Sequence, residues 1–364
     1  MDNIPLYQHI VIDLKAKIES GELKIGDKLP TEAEISKKYN VSRITSKRAL
    51  TELENANLIY RVQGKGSFVN STITINRTSD NTIKEILLIL PFHHDSGLRD
   101  FEKGINEYLA GTDYTLNIQS NTTVGQRKLL QNALQSSNSG VIFYPVTSIS
   151  DLDVLYQYHL SHFPVVTMDK HIEGIPFPSV VSDNFDGAYQ ATKHLIENNH
   201  KKIAFLSSLK VEFSSSIRER YFGYLKALFD HNLIDNSVND LTERYLTHAE
   251  DDGRDFYIHF IQSVMEQGIT GIIAENDLIA VEIIQIAKEL GLSIPDDFSI
   301  VGFDNIQLAS FIDPKLTTIS QDFTKMGRLA AESLIRIIQS PRDHSTDNVV
   351  VPVKLIERQT VKRL

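Results

Sequence analysis

Between Lys37 and Arg48 the chain carries five basic side chains and no acidic one. Just upstream, Thr31 and Glu34 have the spacing of a capping box, in which hydroxyl and carboxylate each satisfy a free backbone N–H at a helix start. Ser42 is placed to cap a second helix, which puts Arg43, Thr45, Ser46 and Lys47 in its first turns. Cationic side chains at the positive end of a helix are locally unfavourable unless something anionic docks there. The chemistry that fits is phosphate binding, with DNA as the partner.

A second group of polar residues follows short apolar runs: Phe92-His93-His94, Asp169, Asn276-Asp277 and Asp304-Asn305. Carboxylates accept hydrogen bonds and amides both donate and accept, so these positions are candidates for contacts to a ligand. Other chemistries find no support. The chain has no cysteine, which excludes thiolate catalysis, disulfides and zinc fingers. His93, His94 and Asp95 are adjacent, and adjacent residues rarely complete a metal coordination set. His159 and His162 lack a third ligand at sensible spacing. There is no Gly-x-Gly-x-x-Gly run, no Walker loop and no Gly-x-Ser-x-Gly elbow. The expectation is a protein without enzymatic activity, metal or cofactor.

The elements that must position these residues are legible as periodicity. Two capped helices and a glycine-tipped hairpin occupy the first 70 residues. From residue 84 onward the pattern is α/β. Strands are predicted at 85–90, 114–120, 140–144, 164–168, 203–206, 271–274 and 299–303. Helices are predicted at 98–109, 126–135, 151–160, 185–198, 217–229, 256–266 and 278–290. Apolar strands alternating with helices imply parallel sheets covered on both faces. In such sheets ligands bind beyond the carboxyl ends of the strands, where the polar residues lie. The Ser-, Thr- and Asn-rich residues 71–83 read as a linker between a domain at 1–70 suited to DNA and an α/β domain at 84–364 suited to a ligand.

Charge follows the same division. The net charge is −10, yet residues 1–75 hold 11 Lys and Arg against 9 Asp and Glu. The acidity therefore belongs to the second part, and only the N-terminal module is suited to approach DNA. The N-terminus has no secretory signal pattern and no apolar run reaches the roughly 20 residues of a membrane span. A cytoplasmic protein with no membrane association is expected.

The run Leu29-Pro30-Thr31-Glu32, then Val41-Ser42-Arg43 with Thr45, Arg48, Ala49 and Leu50, and Gln63-Gly64-Lys65-Gly66-Ser67-Phe68-Val69, resembles the winged helix-turn-helix of GntR-family regulators. The resemblance implies that the second helix of the pair enters the major groove and the hairpin wing reaches the minor groove. By position it implies DNA contacts from Ser42, Arg43, Thr45, Ser46, Lys47, Arg48, Gln63, Gly64, Lys65 and Gly66, with Glu32 at the start of the preceding helix. Lys47 stands where the family usually has Arg, which removes bidentate reading of a guanine edge there. Ser46 replaces a customary Val or Ile.

From residue 84 onward, Ser182-Asp183-Asn184-Phe185-Asp186-Gly187-Ala188, Arg218-Glu219-Arg220-Tyr221-Phe222-Gly223, Glu275-Asn276-Asp277, Ile300-Val301-Gly302-Phe303-Asp304 and Pro314-Lys315-Leu316-Thr317-Thr318-Ile319 resemble the effector domain of the LacI/GalR family. The implied fold is periplasmic-binding-protein-like: two Rossmann-like lobes, joined by three crossings, with a small ligand between them. Position by position, the resemblance makes Arg220, Asp304 and Asn276 ligand-binding residues. Asp169 and Gln321 line the cleft, with Phe92 and His93 on its rim. A GntR head on such a body is similar to the arabinose repressors of Gram-positive bacteria. The implied protein is a homodimeric repressor that binds an inverted-repeat operator and responds to a sugar. A nucleobase or sugar-phosphate effector is the same-class alternative, and a cytoplasmic solute-binding protein is the different-class one.

Overall fold

The computed structural model describes residues 6–19, 23–24, 26–55, 58–62, 66–69, 84–91, 99–120, 123–234, 253–340 and 348–364. The chain divides into two units, Met1–Thr82 and Ile83–Leu364. The expected linker at 71–83 lies outside the described residues.

The first unit, the head, comprises α1 (Leu6–Glu19), α2 (Glu32–Tyr39), α3 (Arg43–Asn55) and an antiparallel hairpin of β1 (Ile59–Val62) and β2 (Gly66–Val69). The capping box forms: Thr31 N–H donates to Glu34 Oε2 at 2.8 Å, and Glu34 N–H donates to Thr31 Oγ1 at 3.3 Å. The Thr31 N–H holds the Glu34 carboxyl below its usual range. Asn40 ends α2 in the left-handed region at φ 50°, where Asn is among the few tolerated residues. The three helices and the hairpin close over Ile10, Leu14, Ile18, Ile35, Leu50, Leu53 and Ile59.

The second unit, the body, has two lobes. A six-stranded parallel sheet carries β3 (Lys84–Leu90), β4 (Tyr114–Ser120), β5 (Gly140–Phe143), β6 (Val165–Met168), β7 (Ser179–Ser182) and β12 (Asn348–Val351) in the order β12-β7-β6-β5-β3-β4. A second sheet, ordered β13-β11-β10-β9-β8, holds β8 (Ile203–Leu206), β9 (Gly271–Ala274), β10 (Ser299–Asp304), β11 (Thr317–Ser320) and β13 (Lys354–Ile356). Only β13 runs antiparallel to its neighbour.

The central strands are largely apolar because both of their faces are buried. Along β3, Ile86 and Leu88 pack into one core while Leu87 and Ile89 pack into another. The first core lies under α4 (Arg99–Leu109) and α11 (Phe323–Gln339), the second under α5 (Thr123–Leu134) and α6 (Leu152–Leu160). The second lobe repeats this division. Phe205, Ile273 and Val301 face α7 (Asn184–Glu197) and α8 (Ser215–Asp230). Leu206, Ile272 and Ile300 face α9 (Gly253–Glu266) and α10 (Asp277–Glu289).

The chain passes between the lobes three times: from β7 to α7 at 182–184, from β11 to α11 at 320–323, and from β12 to β13 at 351–354. One helix pair in each lobe approaches backbone to backbone. A Cβ on Gly223 of α8 would lie 2.1 Å from the Phe185 carbonyl oxygen of α7. One on Gly327 of α11 would lie 2.1 Å from the Phe101 carbonyl oxygen of α4. Among the described residues no helix is long and apolar enough to cross a membrane.

Candidate DNA-binding surface and effector cleft

On the head, α3 has a buried and an exposed face. Ser46, Ala49, Leu50 and Leu53 point inward, while Arg43, Lys47 and Arg48 are exposed and Thr45 is half-buried. Ser42 caps the helix as expected, its Oγ accepting from Thr45 N–H at 3.2 Å. Ser46 is a correction to the sequence reading. It has no exposed surface, and its hydroxyl donates to the Ser42 carbonyl at 3.3 Å, so its side chain is unavailable to DNA.

Two other expected contacts are engaged within the head. The Arg48 guanidinium lies 4.0 Å above the Tyr7 ring of α1. Glu32 pairs with Arg61 of β1 at 3.7 Å. Arg61 also reaches Glu54 at 3.0 Å and receives support from Thr51 Oγ1 at 3.1 Å, bracing the hairpin against α3. Gly66 opens β2 at φ 116°. Gln63, Gly64 and Lys65 lie outside the described residues.

In the body, polar residues gather where strand ends of both lobes meet the crossings. Asp169 follows β6 at φ 67°, Asp304 ends β10 at φ 121°, and Asn305 follows at φ 57°. The Asp304 conformation is one that glycine favours, at a cost of about 1–3 kcal/mol for a residue with a side chain. The surrounding contacts hold it there.

Gln321 Nε2 donates to Asp304 Oδ1 at 2.5 Å, and Gln321 Oε1 accepts from Ser182 Oγ at 2.5 Å. Arg220 Nη2 lies 3.8 Å from Asp304 Oδ1, and its Nε donates to Asn184 Oδ1 at 2.8 Å. The Asn184 amide returns to the Ser182 carbonyl at 3.0 Å, closing the ring. Arg220 also donates to the Glu275 carbonyl, and its guanidinium stacks 3.7 Å from the Phe303 ring. A planar cation held by four partners presents a fixed edge, as hydroxyl recognition requires.

From the first lobe, Lys170 Nζ meets Asp169 Oδ2 at 2.5 Å and lies 4.2 Å above the Tyr144 ring. Ser216 Oγ approaches the same carboxylate at 3.5 Å. Asn276 serves a structural task as well: its Oδ1 accepts from Ile279 N–H at 2.9 Å and caps α10. Its amide nitrogen donates to Glu275 Oε1 at 3.5 Å. Phe92 and His93 lie outside the described residues.

The electrostatics reflect an excess of carboxyls. Burial pushes Asp304 up to about 7, with Arg220, Gln321 and Lys170 opposing the rise and Asp169 adding to it. Burial likewise raises Glu275, against hydrogen bonds from the Ser207 and Ser208 hydroxyls. It raises Asp277 well above the carboxylate range, and Asp304 adds to that rise. For Asp169, burial is outweighed by Lys170 and Arg220, and the carboxyl is held low.

The sequence reading brought Arg220, Asp304, Asp169 and Gln321 to one place, and there the structure puts them. It missed Lys170, Glu275, Tyr144, Asn184 and Ser182. Asn184 and Glu275 stand inside the motifs quoted above, but burial of a lysine beside Asp169 leaves no local pattern.

A head of this form and a cleft of this form on one chain define a ligand-responsive DNA-binding regulator. Comparison with known proteins agrees. Residues 6–69 match the bacterial regulatory proteins of the gntR family, and residues 192–361 match the periplasmic binding protein-like domain. The chain therefore joins a GntR-type helix-turn-helix domain to a periplasmic-binding-protein-like domain. It is 29% identical over 371 residues to the arabinose metabolism transcriptional repressor of Geobacillus stearothermophilus, covering 99% of each chain. It is 28% identical to the repressor of the same name from Halalkalibacterium halodurans, covering 97% of this chain and 96% of that one. A LacI family transcriptional regulator from Enterococcus faecium, solved with bound ribose, shares the fold of the body. Its TM-score is 0.63 at 23% identity, over 77% of this chain and 100% of that chain.

Proposed function

We propose that this chain is a transcriptional repressor whose operator affinity is set by a neutral sugar held between the two lobes of the body. The observation that carries the reading is the ring of Ser182, Gln321, Asp304, Arg220 and Asn184, which ties a ligand-sized polar surface to two of the three crossings. A molecule that hydrogen-bonds to Asp304 and Arg220 competes with contacts that also hold the lobes. Its binding free energy then differs between lobe arrangements, which is the requirement for control.

Charge selects among effectors. Among the described residues, Asp169, Glu275, Asp277 and Asp304 share this region with Lys170, Arg220 and, beside Asp277, Arg358. A phosphate or carboxylate would meet the ionised Asp169 and push Asp304 further toward its protonated form, whereas hydroxyls find acceptors. This favours an uncharged sugar over a sugar phosphate or sugar acid. The named arabinose repressors make a pentose the first candidate. Two copies paired through the body would present two α3 helices, so the operator is an inverted repeat.

Calorimetry on the full chain with arabinose, ribose, glucose, glucose 6-phosphate and galacturonate tests the reading. A neutral sugar is expected to bind and to change operator affinity in a gel-shift titration. Binding only by the charged compounds would overturn it.

A further inference from the structure

Among the described residues, Ile44 is the most exposed large apolar side chain, with 81% of its surface open to solvent. It occupies the first turn of α3, between exposed Arg43 and half-buried Thr45. Lys47 and Arg48, three and four residues on, share its side of the helix and are exposed. The buried side of α3 is already complete with Ser46, Ala49, Leu50 and Leu53. Ile44 thus contributes nothing to the head core, and a β-branched residue gains nothing as a helix former.

The face it occupies is otherwise cationic, suited to phosphate and to the acceptors of guanine. An aliphatic side chain there meets neither. The major groove displays one apolar group that tells one base from the other three, the C5-methyl of thymine. We propose that Ile44 is a sequence-reading residue that packs against a thymine methyl in each half of the operator. The proposal rests on the DNA-binding reading of the head and adds a base preference that cations cannot supply.

The test pairs a protein truncation with a DNA truncation. Duplexes are first enriched from a random pool by the full chain. Each thymine of the enriched duplex is then replaced in turn by deoxyuridine, which lacks only the methyl group. For the wild type, one position per half-site is expected to lose roughly three- to tenfold in affinity, the scale of one methyl contact removed. Ile44→Ala should lose a similar factor on the thymine duplex and respond to deoxyuridine at that position hardly at all. Ile44→Val, which keeps a branched contact, should retain most of the sensitivity. Because the side chain is exposed, the melting temperature should not change, which separates lost contact from lost fold. If Ile44→Ala responds to deoxyuridine as fully as the wild type, or if no thymine methyl matters, the proposal is wrong. If no sequence is enriched at all, the DNA-binding reading falls, and this inference with it.

Discussion

Ser182 and Gln321, 139 residues apart in the chain, meet through a hydrogen bond of 2.5 Å. Each lies at a different passage between the lobes, and the other end of the Gln321 amide holds Asp304. A ligand that takes over the Asp304 carboxylate therefore reaches the hinge through a single side chain. Gln321→Leu removes both bonds and leaves the Ser182 hydroxyl and Asp304 without that partner. The expected outcome is a protein that still binds a sugar, at an affinity reduced by about 1–3 kcal/mol, yet transmits less of it to the operator. Parallel calorimetry and gel-shift titration check this. An unchanged ratio of operator affinities with and without sugar would remove Gln321 from the coupling.

The proposed recognition surface centres on Arg220 and Asp304. Asp304→Ala removes an acceptor and is expected to raise the effector concentration needed for a response ten- to hundredfold. Operator affinity without effector should stay near that of the wild type. Arg220→Ala is expected to cost more. It strips the cation from Asp304 and Glu275 and leaves the Asn184 and Glu275 acceptors unpaired, a loss of about 1–3 kcal/mol in stability. Denaturant titration of both variants checks the ranking.

Ligand-free stability should depend on pH through the cleft. The folded protein holds the Asp304 proton up to about pH 7, whereas an unfolded carboxyl releases it near 4. Between those values the folded state binds more protons, so stability falls as pH rises through the window and levels off above it. The raised Asp277 and Glu275 act in the same direction. Asp169, held low, acts oppositely, its contribution being lost as pH falls through and below the ordinary carboxylate range. The melting temperature should therefore decline from roughly pH 5 to pH 8, and Asp304→Asn should make the decline shallower. Sugar hydroxyls favour the ionised carboxylate, so effector affinity should rise over the upper part of the same window. A melting temperature that climbs with pH would contradict this account.

Gly223→Ala and Gly327→Ala test the close helix pairs. In an exposed helix the change would stabilise by about 1 kcal/mol. Here each new Cβ would stand 2.1 Å from a facing backbone oxygen, so the helices must part. Both substitutions are expected to destabilise by about 1–3 kcal/mol, read as a lower denaturation midpoint.

On the head, Arg43→Ala is expected to cost about 1–3 kcal/mol at the operator. Thr31→Ala should cost about 1 kcal/mol of stability through the lost cap and leave sequence preference unchanged. Footprinting together with thermal melting separates the two effects.

What the sequence made legible follows the range of the interactions involved. The β3 pattern announces a strand buried on both faces, because each neighbour along the chain enters a different core. The helix starts at Thr31 and Ser42 were readable because capping is local. Asp169 and Asp304 could be found as polar ends of apolar runs. The strands β7, β11, β12 and β13 were absent from the periodicity reading. Their sequences, such as Thr317-Thr-Ile-Ser320, have little apolar alternation, and partners such as Asn348 and Ser179, paired in register, are remote in the chain. Ser46 was misplaced because position in the recognition helix was carried over from the family without its facing. Only packing reveals that it faces the core.

The return of the chain at residues 348–356 has a consequence for how the body is made. β12 adds an edge to the first sheet and β13 an edge to the second, and Thr360 beyond them bonds to Ile300 and Thr317. The first lobe also waits for α11 to cover β5 and β6. During synthesis, therefore, both sheets lack an edge strand until residues 348–356 emerge. A ribosome stalled anywhere before residue 348 leaves two incomplete sheets instead of one finished lobe.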